Sequence, residues 1–170
     1  MALILPVNGV LPTLHPSVWL APNATVVGDI NMGRGCTVWF NAVVRGDVHQ
    51  IRIGADTNIQ DGAVLHCTYQ KADLHIGNSV SIAHNATVHG CRIDDEVLIG
   101  IGAIVLDGAH VHKHCFIAAG AVVTPGMVCE AGGLYAGAPA RRLKDVTPAQ
   151  IETILQTAER YKMYAGWYGG

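Results

Sequence analysis

The sequence predicts an all-β protein: a left-handed parallel β-helix of hexapeptide repeats, about six coils long, followed by one C-terminal α-helix. Three observations carry that prediction. Composition is the first: half of the 170 residues are hydrophobic, 14% are charged, and twenty glycines accompany a core vocabulary of Val, Ile and Ala with few aromatics. Such a mixture suits closely stacked short strands better than a helical bundle. The second is a period of six, and the third is the abrupt end of that period at YAGAPARRL, where Gly137 and Pro139 punctuate the chain.

The period runs through nearly the whole of residues 20–140. It begins with Leu20, Val26, Met32, Val38 and Val44, then resumes with Ile53, Ile59 and Leu65, and again with Ile76, Ile82 and Val88. From Ile93 it continues unbroken through Ile99, Val105, Val111, Ile117, Val123, Cys129 and Tyr135, with small residues such as Ala103, Ala109 and Ala121 four positions after. A helix would repeat at three and four and an ordinary strand at two, so a sustained six requires very short strands joined by tight turns. Three such hexapeptides close one triangular coil, coils stack about 4.8 Å apart by parallel pairing, and the recurrent aliphatic points inward. The hexapeptide period is that of the left-handed kind, an exception to the right-handed crossover rule. The nineteen starts amount to a little over six coils, or about 30 Å of prism.

Two departures from six predict loops pushed outward. Val44 to Ile53 is nine, which puts about three extra residues near Asp47 to Arg52, and Leu65 to Ile76 is eleven, which puts about five in CTYQKADLH. Both flank the stretch from Leu65 to Cys91, which holds four of the nine histidines. Loops on a rigid solenoid are where function concentrates.

Beyond the prism, Thr147, Pro148 and Gln150 predict a helix start with a capping threonine, proline at the first helical position and a capping-box glutamine. Ile151, Ile154, Leu155, Ala158 and Tyr161 then make one apolar stripe to lie along a face of the prism. The expected division is a β-helix over 1–145 and the packed helix over 146–170.

Counting hexapeptides rather than residues places the histidines. Val44, Leu65 and Val88 are three hexapeptides apart, so Arg45, His66 and His89 just after them form one outward column. Imidazoles about 4.8 Å apart can tilt onto one tetrahedral ion with metal–nitrogen distances near 2.0 Å. His84 follows Ile82 on the preceding face, as do the residues after Ile59 and Val38, so it points from another side. A second copy of the chain would bring it to the ion, which predicts a homotrimer with metal sites between subunits and closed cyclic symmetry. The pattern HVHKH alternates like outward-facing strand residues and is read as surface, not as a second metal site; His15 and His49 have no visible partner.

A net charge of −2 with no basic run argues against nucleic acid and anionic membranes as partners. The opening MALILPVNGVLP has no basic flank and meets Pro6 early, so no signal peptide is expected, and the Cys115–Cys129 run is short and broken by Pro125. A cytoplasmic protein is expected. Cys36, Cys67, Cys91, Cys115 and Cys129 are odd in number and form no CxxC, which suits buried reduced thiols.

In combination, NAVVRGDVHQIRIG, TNIQDGAVLH and SIAHNATVHGC resemble the γ-class carbonic anhydrases and their bacterial relatives, over about Leu20 to Arg142 and again in the helix. The resemblance implies a trimeric left-handed β-helix with His66, His84 and His89 as ligands to zinc, with iron(II) or cobalt(II) as alternatives. It implies that Arg45 and Asp47 form a salt-bridged pair across the trimer interface, that Asn58 and Gln60 lie near the metal-bound water, and that Tyr161 approaches the site. The implied reaction is reversible hydration of carbon dioxide to bicarbonate by a metal-bound hydroxide, with Gln60 or Asn58 orienting it. The acidic shuttle of the most active members is not matched: Val48 follows Asp47, and Asp73 and His75 lie off the shuttle position. Two alternatives share the repeat. One is a hexapeptide-repeat acyltransferase using coenzyme A and a histidine base; the other is a non-catalytic trimeric metal-binding scaffold.

Overall fold

The computed structural model describes residues 1–168, in which twenty short strands precede a single helix at Pro148–Gly166. Most strands are two or three residues long, and each pairs in parallel with the equivalent strand of the next coil. The inward aliphatics stack into three columns. Leu20, Val38, Ile59, Ile82, Ile99, Ile117 and Tyr135 are in register on one face, and Val26, Val44, Leu65, Val88, Val105 and Val123 on the next. The third column is Met32, Ile53, Ile76, Ile93, Val111 and Cys129. Apart from Leu20 at the end of its column, all are buried, so one continuous core fills the prism.

The solenoid has about seven turns, one more than the sequence count. The omitted rungs are at the start: Ile4 lies in register with Val26, and Leu14 with Met32. The chain between them spends residues on the Val7–Val10 bridge rather than keeping the six-residue step, which hid both from periodicity. The first expected loop is also different. Val43–Ile53 is one unbroken strand that turns a corner of the prism, and its extra residues form a bulge between the Gly28–Gly46 and Ile30–Ile51 pairs. By pairing on both sides of that corner it joins two faces into one sheet of twelve strands. The second departure is a true loop, closed by a Thr68–Ala72 bridge with Tyr69 at its exposed tip.

The helix begins as its sequence dictates. The Gln150 N–H donates to the Thr147 hydroxyl and the Thr147 N–H to the Gln150 side chain, with Pro148 at the start. Ile154, Ala158 and Ala165 are its buried residues, and it packs across Thr37–Val38, Asn58–Ile59 and Ser81–Ile82 of the first column, which form part of the second, eight-stranded sheet. An aromatic cluster fastens it there: the Tyr161 ring is edge-on to Trp39 at 5.1 Å, and Tyr168 meets Trp19, Trp39 and Phe40. On the same sheet the last strand, Arg141–Asp145, runs antiparallel to Gly133–Ala136 and is exposed throughout.

All five cysteines are free and buried. Burial pushes the Cys36 and Cys115 thiols up to about 11 and those of Cys67 and Cys129 up to about 12, so they stay protonated at neutral pH. An aromatic disulfide reagent is therefore expected to titrate none of them in the native protein and all five after denaturation. Rapid labelling of any thiol under native conditions would contradict this.

Candidate metal centre

Strand pairing sets His66 directly beside His89 on successive coils. Their backbones are fixed by the ladder, with Leu65 and Val88 anchored inward beneath them. The Nδ1 atom of His66 lies 3.1 Å from Nε2 of His89. Two ligands on a tetrahedral ion at about 2.0–2.1 Å are about 3.3 Å apart, so this nitrogen pair matches one edge of such a site.

Each of the three histidines has a carboxylate on its other ring nitrogen. His66 Nε2 is 3.0 Å from Asp47 Oδ1, His84 Nδ1 is 2.9 Å from Asp61 Oδ2, and His89 Nδ1 contacts Asp107 Oδ1. A carboxylate that accepts the N–H fixes the tautomer and leaves the opposite nitrogen with its lone pair free. The nitrogens turned away from the carboxylates are then His66 Nδ1, His89 Nε2 and His84 Nε2, the last within reach of the Tyr161 hydroxyl. Burial, followed by the positive charge of Arg45, depresses the pKa of His66, which favours the neutral, ligating imidazole.

The loop after His66 serves this arrangement. The Thr68 hydroxyl donates to Asp107 Oδ2 while Asp107 Oδ1 holds His89. Asp61 and Asp107 were not singled out from the sequence; Asp107 is eighteen residues after His89, the length of three hexapeptides. Asp107→Asn is expected to weaken metal affinity by about 10–100-fold, the usual effect of losing a carboxylate behind a histidine ligand, with competition against a chromophoric chelator as the measurement.

His84 sits on the neighbouring face, at the corner before Asn85, whose φ of 56° is the left-handed geometry asparagine tolerates. Asp61 lies directly below it, since Ile59 pairs with Ile82. Its side chain is 38% exposed against 16% for His66, so it faces outward. Among the described residues, no set that adds His84 to His66 and His89 gathers its donor atoms within 4.8 Å in one protomer.

The other expected residues divide into two groups. On His84's face, Asn58 and Gln60 are buried in a fixed chain, with Gln60 Nε2 donating to Asn58 Oδ1 at 3.0 Å and Asn58 Nδ2 to Ser81 Oγ at 2.8 Å. That order leaves the Gln60 carbonyl oxygen as the open acceptor. Tyr161 reaches over from the helix, its hydroxyl 3.3 Å from His84 Nε2. Burial, then the charge of Asp61, pushes its phenol up to about 12, so it remains a donor. Gln60, His84 and Tyr161 line a mainly apolar cleft of about 390 Å³ with Ile101 and Phe116.

On the His66 side, Arg45 Nη1 pairs with Asp47 Oδ2 within the same protomer. Burial alone would raise the Asp47 pKa, but hydrogen bonds from Arg45 and His66 outweigh it and hold the carboxyl low. Asp73 and His75 are paired with each other at 2.9 Å, and His75 stands in the ladder of the third column beside Arg52 and Arg92. There, among the described residues, one set does bring three donor atoms within 4.8 Å: Asp94, His110 and His112, a His/Asp triad able to bind a metal.

Comparison with known proteins agrees with this architecture. The family model for "Bacterial transferase hexapeptide (six repeats)" matches residues 90–125. A "Probable carbonic anhydrase" of Methanocaldococcus jannaschii is 43% identical, with 87% of this chain aligned to 92% of that one. "Gamma carbonic anhydrase 1, mitochondrial" of Arabidopsis thaliana is 40% identical over 91% of this chain, which spans only 58% of the plant protein. A crystal structure of a "hexapeptide transferase family protein" from Anaplasma phagocytophilum superposes with a TM-score of 0.94 at 34% identity, covering 98% of both chains.

Proposed function

The chain belongs to the γ-carbonic-anhydrase-like hexapeptide-repeat family, and on that premise we propose that it is a metal-dependent carbonic anhydrase whose site is shared between the subunits of a cytoplasmic homotrimer. The single observation that carries this reading is the His66–His89 nitrogen pair, 3.1 Å apart with both outer nitrogens held by carboxylates. His66 and His89 of one subunit and His84 of its neighbour would hold zinc, or iron(II) or cobalt(II), since three imidazoles accept any of them. When bound, such an ion supplies a Lewis acid that lowers the pKa of a coordinated water toward neutrality.

The chain's own residues supply the rest. The Gln60 carbonyl, oriented through Asn58 and Ser81, accepts a hydrogen bond from the attacking oxygen and so directs its lone pair toward carbon dioxide. The apolar walls of the cleft beside His84 suit an uncharged, nonpolar substrate. Arg45 and Asp47, adjoining the His66 column, fix the tautomer of His66 and provide charge at the subunit boundary.

Stopped-flow hydration of carbon dioxide, run beside metal analysis of protein purified with and without oxygen, tests the proposal. Bound metal with hydration is the expected result; protein that holds no metal sinks it, and metal without hydration moves the reading to a trimeric metal-binding scaffold. The likeness to a hexapeptide transferase family protein favours one other reading, an acyltransferase. Acetyl transfer from acetyl-coenzyme A would select it. For the shared site, sedimentation should give a trimer, and a monomer at micromolar concentration would contradict it.

A further inference from the structure

The triad on the third column stands apart from the histidines already discussed, and its backbone is as firmly placed as theirs. Ile93 pairs with Val111, so Asp94 and His112 occupy equivalent positions on adjacent rungs, while His110 and His112 flank the inward Val111 and project from the same side. The Asp94 N–H donates to the Val111 carbonyl and the His112 N–H to the Cys129 carbonyl, each at 2.9 Å. Three ligand-bearing positions are thus fixed by ladder hydrogen bonds rather than by a loop.

The side chains converge. His110 Nε2 lies 2.9 Å from Asp94 Oδ1 and His112 Nδ1 lies 2.9 Å from Asp94 Oδ2, with the two rings 3.8 Å apart between centroids. One carboxylate is therefore gripped by two imidazoles, each aiming a nitrogen at a different oxygen. Replacing those two N–H protons by a cation keeps every donor in place. The side chains are each about one-third exposed, which leaves room for water in the remaining coordination positions. Besides the two histidines, Arg92 is the basic side chain among the described residues that pairs with Asp94, at 3.6 Å, and it is 64% exposed.

We infer that Asp94, His110 and His112 form a second metal site, complete within one protomer, for a borderline divalent transition ion such as zinc, cobalt(II), nickel or copper(II). Two imidazoles with one carboxylate select these ions over magnesium and calcium, which prefer all-oxygen shells. The site shares no residue with His66, His84 and His89. It lies on a different sheet from the one the helix packs against, which carries the first column. The inference departs from the sequence reading of HVHKH as plain surface. Lys113 and His114 fit that reading better, since both pair with Glu96.

Cobalt(II) titration of chelator-stripped protein, followed by visible absorption and calorimetry, tests the inference. His89→Ala should retain one cobalt site per protomer, and adding His112→Ala to it should remove that site or weaken it at least tenfold. Asp94→Asn, which keeps the hydrogen-bonding shape but not the charge, should weaken the same site in protein whose elution volume and circular dichroism match wild type. Cobalt binding in His89→Ala that is indifferent to both changes, or absent altogether, overturns the inference. Loss of the interface site alone bears only on the carbonic anhydrase proposal, so the two readings fail separately.

Discussion

His89→Ala is expected to strip the shared metal and to lower carbon dioxide hydration by well over a hundredfold. The yardstick is the 10–100-fold loss caused by removing a residue one step behind a ligand; removing the ligand itself exceeds it. Alanine leaves His66 Nδ1 with no partner at 3.1 Å and leaves Asp107 holding only the Thr68 hydroxyl. A two-coordinate remnant cannot hold a divalent ion against water and chelators. Val88 and its ladder bonds are untouched, so thermal denaturation should change little. The measurement is metal content by mass spectrometry alongside stopped-flow rates. Unchanged hydration in a metal-free variant would remove His89 from the machinery.

Leu65→Ala is expected to be the most damaging of the single changes considered for stability, by about 2–5 kcal/mol. Leu65 is fully buried in the second column, held between Val44 above and Val88 below. A stack of coils lets each rung lean only on its neighbours, and the paired backbones cannot close in on the space left behind. The loss should therefore sit near the upper end of that range. Urea unfolding at fixed protein concentration measures it, because assembly contributes to apparent stability. A change below about 1 kcal/mol would mean that the prism relaxes far more than close-packed interiors do.

Much of this was legible from one number. Because inward residues recur at six, the stacking of His66 on His89 and the offset of His84 could be counted before any coordinates, despite 23 residues between the first two. The same arithmetic, carried further, would have found more. Eighteen residues is one coil, and Asp94 with His112, Glu96 with His114, and His89 with Asp107 are each eighteen apart. These partners stand at polar positions beside the aliphatic ones, and a period defined by inward aliphatics does not mark them. Asp61 beneath His84 was harder to find, since the five-residue insertion stretches that interval to 23. The first two rungs were lost for a physical reason: Ile4 and Leu14 stand at the open end of the prism, where the chain need not keep the step that a fully enclosed coil enforces. The unbroken course of Val43–Ile53 was hidden because a bulge adds residues without breaking a strand.

The final strand decides how the stack ends. Parallel rungs offer open edges to any chain of the same kind, and such edges invite endless growth. Arg141–Asp145 reverses direction against Gly133–Ala136 and turns four charged residues, Arg141, Arg142, Lys144 and Asp145, to solvent. A newcomer at that face would meet strand polarity opposite to its own and a row of hydrated charge. On that face the chain thereby closes its own ladder against addition of a further strand.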